Sequence, residues 1–518
     1  MLIKILQKLL PPGSKGQEHQ QNQKKPVDAN LEHVIEQLEQ IFGGTSDLVL
    51  RKLLIGAGSK PALVVYLENM ADKKILSEGI IAKLQEAPPE FLDNVKVTAH
   101  SILAVSKVSV TADLNRVVSR ILSGDTGIFL AGSSRAIIAA TGGWETRSIQ
   151  YPETEVNVEG PKEGFIESID VNMTLLRRRL RNSNLRFETI TLGTRTNTEV
   201  AVAHLQGVTD PGIVAEVKRR LKAIHKDGIL TVEILHEFLR DQPYSPFPTI
   251  AKTERPEKVV ACLLEGRVAV LLDGYPFVLV APMTFAMFLQ AGDDYYQSFY
   301  YGTFVRWIRI FAFVITLVLP SFYIALVTHH WEMMPTALAL SLAGGRAGVP
   351  FPYFLEALAM EFTFEVLREA GIRMPRAVGQ AVSIVGALVI GQSAVQAGLV
   401  SPGIVIIVAF TGIASFAIPV YEASTPFRLL RFPLIFVTAG LGLPGLVAGV
   451  MMIWGHMTSL TSFGVPYLAP FVPLQSKDLK DTLFRVPQWA MFTRPQSIPS
   501  MDPKRLDDPK IPPEGKDS

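Results

Sequence analysis

PFPYFLEALAMEFTFEVLREAGIRMPRAVGQAVSIVGALVIGQSAVQAGLVSPGIVIIVAFTGIASFAIPVY, residues 350–421, decides the fold. It opens with an apolar helix bearing Glu356, Glu361 and Glu365. A basic collar follows (Arg368, Arg373, Arg376), and residues 377–421 then carry no formal charge. Two bilayer crossings fit in that length, because a helix needs about 20 apolar residues to span roughly 30 Å of hydrocarbon. Carboxylates beside such segments are costly unless they face a neighbouring helix or water, so they are the first place to look for function.

Outward from this block, residues 310–328 are uncharged, with Arg306, Trp307 and Arg309 before them and His329, His330 and Trp331 after. That is the pattern of a span anchored at its edges. Together with 351–367, 377–399, 402–421 and 432–455 it gives five expected spans in an α-helical, multi-span membrane domain at 300–475. Arginines before the first span, at 368–376 and at Arg428 and Arg431 alternate with the stretches 329–345 and 399–401, which have neither Lys nor Arg. By the positive-inside rule the amino terminus is cytoplasmic and the acidic helix counts as a crossing; Arg346 is the exception. Five crossings would leave the polar tail, 476–518, outside unless 462–474 re-enters.

The rest of the chain reads as soluble. Among 518 residues the net charge is +2, which argues for no nucleic-acid partner, and the one cysteine, Cys262, excludes a disulfide framework. Lys4 and Lys8 interrupt MLIKILQKLLPPG and leave no cleavable signal, so the first span is expected to direct insertion. Residues 1–30 read as a disordered lead-in. Residues 31–147 predict an α/β subdomain: a helix from Asn30, a hairpin at 47–69, helices capped by Asp72 and Thr111, and a pairing of TGIFLAG with RAIIAATGG. Residues 148–299 predict an α+β subdomain, with a helix at 166–182, strands at 185–193 and 198–206, and a helix opened by Asp210-Pro211. VVACLLEG, RVAVLLDG and PFVLVAP, between 259 and 282, read as strands. The fold class is thus an α+β two-part soluble region followed by membrane helices.

Several constellations bear on function, each with two readings. Glu361 and Glu365, four apart, share a helix face while Glu356 lies on the other. They either concentrate cations at a pore mouth, as acidic rings do, or pair with arginines such as Arg368 or those of a neighbouring helix. Gly379, Ser383, Ala387 and Gly391 form a small-residue ridge for close helix packing. Gln380, Gln392 and Gln396 either line a pore or hydrogen-bond between helices. Arg177, Arg178, Arg179 and Arg181 make a basic helix face, better suited to solvent or another subunit than to bases. His329-His330 lacks a third metal ligand, and no phosphate loop or nucleophile–base signature occurs, so neither cofactor, metal nor catalysis is expected.

EGPKEGFIESIDVNMTLLRRRLRNSNLRFE (159–188) and the stretch 350–402 resemble the two signature stretches of the GerA family, in its A-type spore germination receptor subunit. LLDGYPFVLVAP (271–282) and SFGVPYLAPF (462–471) are similar to further stretches of that family. The resemblance implies a receptor in the inner spore membrane with a cytoplasmic soluble region. It implies homo-oligomers, pentamers in particular, forming a nutrient-gated channel for monovalent cations. The implied partners are a transporter-like B subunit and a lipoprotein C subunit. Two other readings remain, a secondary transporter and a membrane-anchored scaffold. Against the first stands the absence of a second copy of the 350–400 pattern. Against the second stands the density of small and polar residues in the spans.

Overall fold

The computed structural model describes residues 25–56, 58, 60–92, 94–143, 152, 154, 155, 157, 159–374 and 389–505. The soluble part holds two five-stranded antiparallel sheets. The first unit contains α1 (Leu31–Phe42), β1 (Leu48–Ile55), β2 (Lys60–Leu67), β3 (Val108–Thr111), α2 (Leu114–Ile121), β4 (Thr126–Leu130) and β5 (Ala136–Ala139). Strand order is β1-β2-β4-β5-β3. Side chains alternate across a strand, and here both faces are apolar. Leu63, Val65, Phe129 and Ile138 meet α1 and α2, while Ala62, Val64, Ile128 and Ile137 meet the helical stretch 75–102. Asp72 caps that stretch through the amides of Lys74 and Ile75. The cap of α2 is Asp113, not Thr111: the Asp113 carboxylate accepts the Asn115 N–H at 3.0 Å, and Thr111 Oγ1 accepts the Asp113 N–H instead.

The second unit contains α3 (Ile169–Arg179), β6 (Leu185–Leu192), β7 (Thr198–Leu205), α4 (Pro211–Lys222), α5 (Val232–Leu239), β8 (Ala251–Thr253), α6 (Pro256–Leu264), β9 (Val268–Leu272) and β10 (Val278–Ala281). Its strand order, β6-β7-β9-β10-β8, repeats that of the first unit strand for strand. The run VVACLL, expected as a strand, is the helix α6. Pro256 stands in its first turn, and Val259, Cys262 and Leu263 bury one side of it, a helical rather than an alternating pattern.

The units are joined through Arg177, whose buried guanidinium grips Asp47 in two bonds of 2.8 and 2.9 Å and also donates to Thr45 Oγ1. Arg178 and Arg179 pair with Glu163. The basic run on α3 is therefore largely taken up inside the molecule.

The carboxy-terminal region is helical: α7 (Phe299–His329), α8 (Thr336–Gly344), α9 (Tyr353–Arg373), α10 (389–396), α11 (Pro402–Phe416) and α12 (Tyr421–Ser459). Among the described residues, α7 and α12 are long and apolar enough to cross a membrane. α12 is not one rod, because Gly442 (φ +62°, ψ −145°) breaks it. Phe427 and His456 both pack on Phe247, with ring centroids 5.6 and 6.0 Å away. A straight helix would hold them about 43 Å apart. The chain therefore doubles back at Gly442, within the stretch 432–455 that was expected to be a single span.

Near and far ends follow from contacts with the second unit. Arg306 and Arg309 at the start of α7 bind Asp294, while Glu422 and His456 reach Lys252 and Ser245. The far end of α7, His329 and His330, meets the hairpin tip at Ala439 and Leu443. Beyond α12 the tail returns to the second unit. Ser500 bridges to Thr209, and Arg494 donates to the Leu264 carbonyl at 2.8 Å. Tail and soluble units thus lie at the same end of the helices.

Candidate functional site

The three acids of α9 fall into two places. Glu361 and Glu365, one turn apart, face the first limb of α12, where Arg428 and Arg431 are three apart. Arg431 reaches Glu361 at 2.7 Å and Glu365 at 3.1 Å, and the Arg428 fork closes on Glu365 with its Nε at 3.0 Å. Arg431 is 1% exposed and Glu361 0%, so this pairing is out of reach of water. Two carboxylates meet two guanidiniums, and an ion pair of this kind is tolerated in a dry interior only when its charges cancel.

Glu356 lies at the other end of α9. It accepts from Arg346 Nε at 3.1 Å and from the Ser401 N–H at 2.8 Å, and Arg346 stacks on the Tyr353 ring 3.8 Å away. The arginine that broke the expected charge alternation is thus held by a carboxylate. Arg368 projects to α11, where it bonds Ser415 Oγ between the rings of Phe364 and Phe416, 5.1 and 4.5 Å from its guanidinium carbon.

Of the other predicted residues, Gly379, Gln380, Ser383 and Ala387 lie outside the described residues. Gly391 is buried, and a Cβ there would meet Val405 of α11 at an ordinary contact distance of 3.5 Å. Gln392, Ser393 and Gln396 are exposed. Among the described residues, then, the acids pair with arginines while the amides Gln392 and Gln396 are exposed.

Sequence reading missed Arg428 and Arg431 as partners by placing them in a loop. The available signal was spacing, since an Arg-x-x-Arg pair inside an apolar helix matches an acid pair one turn apart. It also missed the junction under α7. There Arg306, 0% exposed, donates to Asp294 at 3.1 Å and to Asp481 of the tail at 3.0 Å. Arg309 grips Asp294 twice, at 2.7 Å each. Tyr295 donates to both Asp481 oxygens, and burial pushes the Asp481 carboxyl above its ordinary range against the pull of Arg306. This buried knot ties the start of α7 to the soluble region and the tail.

The sequence profile of the Bacillus/Clostridium GerA spore germination protein matches residues 36–497. Spore germination protein KA of Bacillus subtilis (strain 168) is 42% identical, over 94% of this chain and 90% of that protein. Spore germination protein A1 of the same organism is 38% identical, over 90% and 94%. GerLA of Bacillus cereus is 36% identical, over 92% and 97%. The N-terminal domain of the A subunit of the Bacillus megaterium spore germinant receptor GerK3 superposes with a TM-score of 0.38 at 27% identity, over 51% of this chain and 99% of that one.

Proposed function

The chain belongs to the GerA family of spore germination proteins, and from that premise we propose that it is the A-type subunit of a nutrient germinant receptor in the inner spore membrane. Its soluble units face the cytoplasm. Copies of the chain form a ring, of five in particular, around a path for monovalent cations, and a transporter-like B subunit and a lipoprotein C subunit complete the receptor. Binding of nutrient by the complex shifts the helices between a closed and an open packing.

One observation carries the channel reading. On α10, among Val389, Ile390 and Val395, the polar residues Gln392, Ser393 and Gln396 are exposed. Polar groups on an outer face of an apolar helix are costly against lipid and are accommodated by a water-filled passage or a neighbouring subunit. Glu361 and Glu365 take a different role, an ionic clasp that holds α9 to α12 in the closed packing. Crossings by α7, α9, the expected span 377–399, α11 and each limb of α12 make six. An even count agrees with a tail that packs on the soluble units.

The test is reconstitution. The purified receptor in liposomes is expected to pass potassium when nutrient is added, and Gln392→Leu with Gln396→Leu to reduce that flux at least tenfold. Full flux in the double variant would remove these residues from the path.

A further inference from the structure

We propose that His330 is a proton-sensitive latch that holds the helical hairpin of α12 closed at its tip. This proposal adds regulation to the function just given and rests on it only for the side of the membrane from which protons arrive, the side away from the soluble units.

The reversal at Gly442 leaves one end of each limb open. Helix ends carry unpaired backbone groups, carbonyls where a helix stops and N–H groups where one starts. Two consecutive imidazoles at the end of α7 serve one of each. His329 Nε2 lies 2.8 Å from the carbonyl oxygen of Ala439, which ends the first limb. A carbonyl only accepts, so His329 is the donor. His330 Nε2 receives the N–H of Leu443, which starts the second limb, at 3.2 Å. A backbone N–H only donates, so His330 must present a bare ring nitrogen. The fit is close, since a Cβ at Gly442 would come within 2.9 Å of both His329 Cβ and His330 Nε2.

A proton therefore acts oppositely on the two rings. On His329 it leaves the donor in place and sets a positive charge at a helix carboxyl end, where such charge is favoured. On His330 it fills the accepting nitrogen, so that N–H meets N–H at a helix amino end, where positive charge is disfavoured. The Leu443 contact is present while His330 is neutral and is lost when its ring takes up a second proton. The titratable groups around it are His329 on the same helix and Glu332 in the next turn; the tip, 439–445, has none, and Arg346 is taken by Glu356. The limb released is the second, which packs on the first where Gly449 meets Leu434; the first carries Arg428 and Arg431, so loosening the tip reaches the helix that clasps α9.

Hydrogen exchange of residues 436–450, in the full chain in lipid nanodiscs and divided by the unstructured-chain rate at each pH, reads the latch without reference to conduction. Protection is expected to fall at least fivefold from pH 8 to pH 5 while that of 404–414 in α11 stays level. His330→Gln, which keeps an accepting oxygen that gains no proton in this range, is expected to show level protection, and His329→Gln to keep the wild-type fall. Level protection in the wild type, or an unchanged fall in His330→Gln, would overturn the latch and leave the channel reading to its own flux test.

Discussion

Arg431 is the residue on which the packing of α9 against α12 turns. It is buried between two carboxylates, and removing one member of such a set leaves an uncompensated charge that destabilises by about 3–5 kcal/mol, whereas replacing the set by apolar groups is close to neutral. Arg431→Met is expected to lower the thermal stability of the protein in nanodiscs by that amount, and adding Glu361→Leu to recover most of it. Equal losses in the single and double variants would show that the two side chains are not coupled. Cys262 makes a second residue-scale prediction. It is buried, and burial pushes its thiol up to about 11, so little thiolate exists at pH 8. A thiol reagent at pH 8 is expected to label the native protein only at the rate of unfolding; stoichiometric labelling within minutes would contradict the packing of α6. At this scale the acids were legible in the sequence as functional candidates, because charge in an apolar run stands out. Their partners were not, because a pair of arginines near a span edge reads equally well as a loop.

Elements were legible where local chemistry sets them and obscure where tertiary contact does. Asp72, and Asp210 with Pro211, announce helix starts, and the β6–β7 hairpin follows from alternation on both sides of a polar turn. The helix α6 did not announce itself, because valine-rich runs favour strands locally and only burial against the sheet makes this one a helix. The repeated strand order of the two units left no trace at matching positions, since a sheet buried on both faces asks only for apolar residues. The hairpin in α12 was hidden for a related reason. Gly442 is one of several glycines in a run, and nothing local singles out the one at which the chain reverses. Its backbone conformation is one that other residues rarely adopt, and strain of this kind amounts to about 1–3 kcal/mol. Gly442→Ala is expected to lower stability by at least that much and to expose 436–450 to hydrogen exchange, whereas Gly440→Ala, with open space around it, is expected to do neither. Equal behaviour of the two variants would argue against the reversal.

Across the whole molecule, the soluble units, the tail and the near ends of α7 and α12 form one body, because Asp294 and Asp481 tie Arg306 and Arg309 into it. A tail held in that way cannot lie across the bilayer from the units it packs on. Single cysteines at Ser497 and Tyr244, in a Cys262→Ala background, are therefore expected to react with an impermeant reagent from the same side of sealed vesicles, and one at Leu441 from the other. The sequence left the side of the tail open because its crossing count missed the reversal. The central claim is that the amides of α10, and not the acids of α9, face the shared passage. The direct measurement is cation flux through the assembled receptor after thiol modification of single cysteines in the same background. Modification at Gln392 or Gln396 is expected to cut nutrient-triggered flux severalfold, while a cysteine at Glu361 stays unmodified in the closed state. Flux indifferent at both glutamines, with Glu361→Cys modified before nutrient is added, would contradict the account.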